Sequence, residues 1–258
     1  MGERLQIERR TIDGSVVVLH GASQIDSVPV PVPVTSAVWS IEDEPFIFVS
    51  GDISNAEGFV RAMGVSTFDQ SFGYRNGSLL LGSDMLLHQD STVAEAERRW
   101  AIWRGSASSI WVHVVGSVGS TAGLSDALLR LLESFMIDEF ENGVVLQPRD
   151  PFATPLLGGQ DAPSAHFRLS DLGSVEVYAK TKYFLGSLPR WPGMPVRGGE
   201  LYLEGELKSE NGSTKPIFAL IGESTYSLIT AETGIDEETL LLRVSDLQID
   251  WLADGAGP

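Results

Sequence analysis

The chain has 258 residues, 43% hydrophobic and 21% charged, the proportions of a globular protein long enough to bury a core. Its 35 acids against 18 Lys and Arg give a formal charge of −17, spread along the sequence, which repels phosphate backbones and disfavours nucleic-acid partners. There is no cysteine, so disulfides, thiolate metal sites and cysteine nucleophiles are excluded.

The opening MGERLQIERR is charged and is followed by no apolar h-region, so a secretory signal is not expected. The longest uncharged run, residues 105–125 with His113 neutral, is too rich in Ser and Gly to span a bilayer. The expectation is a cytoplasmic protein without a membrane partner. The acidic runs, such as Glu42–Asp43–Glu44 and Asp236–Glu237–Glu238, are short and read as solvated faces, not as a mimic of DNA. The last residues, ADGAGP, read as a frayed tail.

In chain order, GSVVVLHG (14–21) is an apolar run between glycines and predicts a strand. SVPVPVPVTS (27–36) alternates Pro29, Pro31 and Pro33 with valines. An extended strand of period two would put Val28, Val30, Val32 and Val34 on one face and all three missing N–H groups on one edge, the pattern of a protected edge strand. PFIFVSG (45–51) predicts another strand. SNAEGFVRAMG (54–64) predicts a helix, with Ser54 and Glu57 as a capping box and Gly64 as the stop. Asn76–Gly77 marks a hairpin.

TVAEAERRWAIWRG (92–105) reads as a helix. Thr92 and Glu95 form a second capping box, and Val93, Ala96, Trp100 and Trp103 form a stripe at helical spacing. SSIWVHVV then reads as a buried strand, followed by a Gly/Ser turn and an amphipathic helix. Leu124, Leu128, Leu131 and Phe135 line that helix, Ala127, Leu132 and Met136 widen the face, and Asn142–Gly143 ends it.

Residues 147–165 hold four prolines and two glycines without helical period and read as a connection between lobes. Beyond them SVEVYAKTKYF, GELYLEGELKS, KPIFALIGE and TLLLRVSDLQIDWL read as strands, with Asn211–Gly212 as a turn. The expected fold is therefore α+β and β-dominated, with mostly antiparallel sheets. An N-terminal lobe, residues 1–146, carries about three helices, and residues 166–258 form a mainly antiparallel β lobe.

Chemical motifs are few. VHVVGSVGSTAG superficially resembles the strand–elbow–helix of α/β-hydrolases, but the elbow spacing is met only at 119–123, where Thr121 stands at the nucleophile position, and no histidine follows His166. The same turn offers free amides at a helix N-terminus. That makes Gly116, Gly119, Ser120, Thr121 and Gly123 a candidate ligand-binding loop, opposed by the charge of Asp126. It has neither the lysine of a P-loop nor a Gly-x-Gly-x-x-Gly pattern. His20, His88, His113 and His166 show no metal-ligand spacing, so no metal, cofactor or catalytic residue is assigned.

The most suggestive surface stretch is LPRWPGMPVRGG. Trp191 and Met194 stand among prolines and glycines, flanked by Arg190 and Arg197, a composition enriched at binding hot spots. Arg190, Trp191, Met194 and Arg197 are the candidate partner-binding residues, for a protein with an acidic and apolar patch. The leading expectation is a non-catalytic interaction or assembly subunit, such as a structural component, adaptor or inhibitor. The alternative is a small-ligand-binding or hydrolase-like domain using residues 116–123.

Overall fold

A computed structural model describes residues 5–22, 35–41, 44–53, 56–62, 65, 67–86, 96–117, 121–149, 151, 153–156, 162–169, 172–181, 186, 191–208, 214–231, 235 and 237–253. The first part of the chain forms β1 (Leu5–Arg10), β2 (Val16–Ala22), β3 (Thr35–Ile41), β4 (Glu44–Asp52), α1 (Ala56–Ala62), β5 (Thr67–Tyr74), β6 (Gly77–Leu86), β7 (Ala96–Arg104), β8 (Ser108–Ser117), α2 (Thr121–Glu133), β9 (Phe135–Phe140) and β10 (Gly143–Pro148). There follow β11 (Thr154–Pro155), β12 (Ser164–Leu169), β13 (Gly173–Ala179), β14 (Met194–Val196), β15 (Gly199–Lys208), β16 (Thr214–Ile221), β17 (Thr225–Ala231), α3 (Glu237–Asp246) and β18 (Gln248–Leu252). The described residues are rich in strands and mostly antiparallel, and they divide into two compact units. Residues 12–14 and 29–156 form one; residues 1–11, 15–28 and 157–258 form the other.

In the unit of residues 12–14 and 29–156, a sheet runs in the order β3-β4-β8-β7-β6-β5, with β11 on the outer side of β3. β7 decides its layering. Trp100 and Ile102 point to one face and pack with Ala56 and Val60 of α1. Ala101 and Trp103 point to the other and pack with Leu128, Leu131 and Leu132 of α2. The helix expected over 92–105 is therefore a strand from Ala96 onward; Thr92, Val93 and Glu95 lie outside the described residues. Trp100 and Trp103 are three apart, which is one face of a helix but opposite faces of a strand. A central strand covered on both sides carries apolar residues at consecutive positions, and pairing with β6 and β8 on both edges settles the choice.

The second correction concerns 121–142. α2 stops at Glu133, and β9 and β10 form a hairpin turning at Glu141–Asn142. Phe135 still reaches the core, edge-on to Trp39 at 5.0 Å and to Phe48 at 5.1 Å, but it does so from a strand, while Met136 is exposed. The hairpin is fastened by Glu139. Its carboxylate accepts the N–H groups of Ser106, Ala107 and Ser108 and the Ser106 hydroxyl, at 2.7–2.8 Å, from the β7–β8 turn. Burial works against the Glu139 charge, but these donors outweigh it and hold the carboxyl below its usual range.

In the other unit β18, β2 and β1 are neighbours in one sheet, and β14-β15-β16-β17-β13-β12 are neighbours in a second. Val17, Leu19, Ile249 and Trp251 from the first share a core with Phe167, Val175, Leu201, Phe218 and Ile229 from the second. α3 closes this core with Leu240 and Val244. The expected strand over TLLLRVSDLQIDWL is thus a helix followed by β18, and the three helices whose ranges are given among the described residues are divided two and one between the parts of the chain before and after residue 147. Leu240 and Val244 are four apart, the spacing of one helical face, while Leu242 between them is 69% exposed. The proline-rich 28–34 segment and the Ser54, Gly64 and Asn211–Gly212 signals lie outside the described residues.

The hairpin expected at Asn76–Gly77 is present, with Arg75 and Asn76 as its two-residue turn and Arg75 at a φ of 54°. Gly77 has a different role. A Cβ there would sit 2.1 Å from the Arg104 carbonyl oxygen, whereas one on Gly73, on the same hairpin, would meet nothing within 4 Å. Gly77→Ala should therefore lower stability by about 1–3 kcal/mol, the scale of overpacking. Gly73→Ala should stay within about 0.5 kcal/mol of the parent. Denaturant midpoints of the two variants check this, and equal effects would contradict the close approach.

Candidate functional site

The β14–β15 hairpin turns at Arg197–Gly198, setting Val196 opposite Gly199 and Met194 opposite Leu201. Before Met194 the chain crosses Tyr202. A Cβ on Gly193 would lie 2.7 Å from Tyr202 Cε2, so a glycine is needed for this approach. Tyr202 is held in turn by donating its hydroxyl to Glu200 Oε2 at 2.5 Å. β14 thus covers three residues of β15, while β16 follows β15 out to Lys208.

On the core face, Leu201 and Leu203 lie opposite Leu220 and Phe218, and α3 supplies Leu240 and Leu241. A groove of about 460 Å³ lies among Met194, Leu201, Leu203, Phe218, Leu240 and Leu241, and farther along the strands the pair Glu206 and Pro216 also lines it. Leu203 is 60% exposed and Trp191, three residues before Met194, is 64% exposed. Arg197 is exposed, with its backbone N–H donating to the Ser245 carbonyl at the end of α3. Three of the four partner-binding candidates are therefore placed around one hairpin. Arg190 lies outside the described residues.

The Gly/Ser turn joins β8 to α2. Gly116 is the next-to-last residue of β8, Thr121 opens α2, and Gly123 is exposed in its first turn; Gly119 and Ser120 lie outside the described residues. Against α2 lies a fully buried guanidinium. Arg99 Nε donates to Ser125 Oγ at 3.0 Å, and Nη1 donates to Asp69 Oδ2 and Ser83 Oγ, each at 2.9 Å. Arg99 Nη2 lies 2.8 Å from Asp69 Oδ1 as a charge contact without hydrogen-bond geometry. These bonds commit Arg99 to protein groups.

Two polar clusters are absent from the sequence reading. Asp84 faces Arg98 across β6 and β7, accepting from its Nε at 2.9 Å and Nη2 at 2.5 Å, and from Trp100 Nε1 at 3.0 Å. Burial opposes the Asp84 charge, yet these donors hold its carboxyl below the usual range. The Arg98 guanidinium lies 4.7 Å from the Trp100 ring, and the His113 ring lies 4.6 Å from it on the β8 side. Burial, then the Arg98 charge, pushes His113 down. The second cluster is on β12 and β13, where His166 Nε2 lies 3.4 Å from Ser164 Oγ and 3.3 Å from Glu176 Oε1, and the Tyr178 hydroxyl donates to that same oxygen at 2.5 Å. A nucleophile relay needs serine and carboxylate on opposite ring nitrogens, with the hydroxyl reachable. Here both meet one nitrogen, and Ser164 is 2% exposed, so the arrangement orders the sheet face and is not a hydrolytic triad. The register that joins these residues, His166 opposite Glu176 and Asp84 opposite Arg98, was the missing signal.

Among the described residues no group of three or more His, Asp or Glu side chains is placed to hold a metal ion, and no helix is long and apolar enough to cross a membrane. No protein-family model, curated protein or solved structure matches the chain.

Burial pushes His166 below its ordinary pKa, against the opposing pull of Glu176. A histidine lowered on folding contributes stability at high pH and loses it as pH falls through the unfolded value of about 6.5. An NMR titration should find the His166 midpoint below the ordinary value of about 6.5, and Glu176→Gln should lower it further. A midpoint at or above the ordinary value would contradict the assignment.

Proposed function

We propose that this chain is a non-catalytic protein-interaction or assembly subunit, and that a partner docks on the hairpin that carries Trp191, Met194 and Arg197. The observation that carries the reading is the exposure of Trp191. An indole buried against its own core has a packing role, whereas one 64% exposed, three residues before the groove-lining Met194, leaves a large apolar area in water. Tryptophan in such a setting is the residue type most often found at binding hot spots.

The charge pattern supports a polarised partner. Arg197 at the hairpin turn stands out from a surface of net charge −17, so an acidic group beside an apolar patch would be drawn there. The same net charge disfavours nucleic acid as the partner.

Truncating Trp191 separates docking from packing. Trp191→Ala should leave the denaturation midpoint near that of the parent, within about 0.5 kcal/mol, because its side chain lies mostly in solvent. Affinity capture from the native host should lose a partner that the parent retains, with binding weakened by about 2 kcal/mol, the hot-spot scale. A destabilisation of about 3–5 kcal/mol, the range for deleting a buried aromatic, would overturn the reading, as would identical capture by the two proteins.

A further inference from the structure

We propose that β15 accepts an added β-strand. An extended segment of another protein, apolar at alternate positions and carrying Lys or Arg, pairs along the edge from Tyr202 to Lys208 and rests apolar side chains in the groove beside it. This rests on the interface reading above and specifies how the partner is held.

The first support is the edge itself. β14 spans residues 194–196 and pairs only with Gly199–Leu201, and Gly193 then carries the chain across Tyr202. β16 continues beside β15 to Lys208. Beyond Leu201 the side of β15 that faces away from β16 meets no other strand of the described residues, and the backbone groups turned to that side alternate along it except at the irregularity between Leu203 and Gly205. Leu203, Glu204, Glu206, Leu207 and Lys208 are all exposed, so the edge is open to solvent on its side-chain surfaces as well.

The second support is what lies next to that edge. Strand addition gains affinity from main-chain hydrogen bonds and specificity from pockets for alternate side chains. The groove between β15 and α3 supplies such a pocket, with Met194, Leu203 and Leu241 in its lining. β14 already marks the track an added strand would prolong.

The third support selects the occupant. A second copy laid antiparallel on this edge would bring Glu204 and Glu206 of one chain against those of the other, and like charges facing across strands are unfavourable. The register shift between Leu203 and Gly205, which leaves Glu204 without a partner on β16, further discourages flat self-pairing. A strand bearing Lys or Arg meets complementary charge at the same positions.

The test uses the full chain and three synthetic peptides of about eight residues, a usual strand length. One alternates valine and lysine, one alternates valine and glutamate, and the third is the valine–lysine peptide with alternate backbone amides methylated. The valine–lysine peptide should slow hydrogen exchange of the outward amides in 202–208 by about tenfold or more at saturation. The methylated peptide, with the same side chains, should give no such protection. Glu204→Lys combined with Glu206→Lys should weaken the basic peptide by about tenfold and admit the acidic one, an exchange of preference that misfolding would not produce. Strand addition is overturned if the basic peptide leaves 202–208 unprotected, if the methylated or acidic peptide protects the parent equally well, or if protection rises with protein concentration alone. Should Trp191→Ala still cost partner binding in that case, the interface stands and only its mode fails. Protection by the basic peptide together with unchanged capture by Trp191→Ala would instead remove Trp191 from the interface and leave strand addition in place.

Discussion

A mismatch of strand lengths underlies the surface described for the unit that contains β14 and β15. The hairpin begins with three residues on one strand and ten on the other, because the chain must leave the sheet where Gly193 lies against Tyr202. Any side chain at Gly193 collides with that ring, and Tyr202 is fixed by its bond to Glu200 and by packing with Ala219, Ile221 and Tyr226. Had β14 run on, it would have covered the edge of β15 and the solvent side of Leu203. Because it does not, backbone edge, apolar groove and exposed indole occur along one stretch of chain. A sheet that keeps such an edge normally guards it with charge and irregularity, and Glu204, Glu206 and the bulge between Leu203 and Gly205 do so here. The two carboxylates act against a like-charged copy and not against a basic strand.

The two units differ in where they place their unusual groups. Around β7 the unusual groups are charges under cover. Arg99 is fully buried and engages Ser125, Ser83 and Asp69, while Arg98, Asp84 and Trp100 close a second set of bonds on the opposite face. Removing one member of such a set leaves a buried charge without its partner, which costs far more than an exposed pair contributes. These bonds therefore fix the register of β5, β6 and β7. Around β15 the unusual groups are apolar and in water, and their removal costs little folding energy. A group that is free to be lost without unfolding is also free to take part in recognition, which is why the functional reading is drawn from the hairpin.

The same contrast explains how far the sequence could be read. Apolar runs bounded by turn formers located β2, β4 and β8, and the capping and stripe pattern located α1 and the first three turns of α2. What failed was the choice between periods wherever an element is covered on two sides. Trp100 and Trp103 belong to two different cores, and no local pattern says so, since the layers that separate them are built by α1 on one side and α2 on the other. Phe135 shows the converse: a helical stripe and a strand both deliver it to Trp39 and Phe48, so the right core residue came from the wrong element. In α3 the period was present at Leu240 and Val244, but the run Leu240–Leu241–Leu242 hid it. The candidate surface was visible through composition alone, as Trp, Met and Arg among prolines. Its neighbours Leu203, Phe218 and Leu241 come from three other elements, and no local pattern joins them.

The Gly/Ser turn shows why similar local sequences lead to different weights. Its glycines and helix start provide amides, and amides attract anions in any protein. Turning that attraction into a site takes a cation that is not already satisfied and a neighbourhood that does not repel. Arg99 reaches the second turn of α2 through Ser125, but it is ion-paired with the Asp69 carboxylate, and Asp126 adds a negative charge in that second turn. An anion arriving there would have to displace Asp69 from a fully buried guanidinium, breaking hydrogen bonds to a charged group, each worth about 1.5–3 kcal/mol. At the β15 edge no such exchange is required. The outward amides and carbonyls give up only water, the groove is already formed, and the exposed carboxylates of Glu204 and Glu206 outnumber the one cation of the strand, Lys208. The balance between an internal competitor at one place and solvent alone at the other favours recognition at the hairpin.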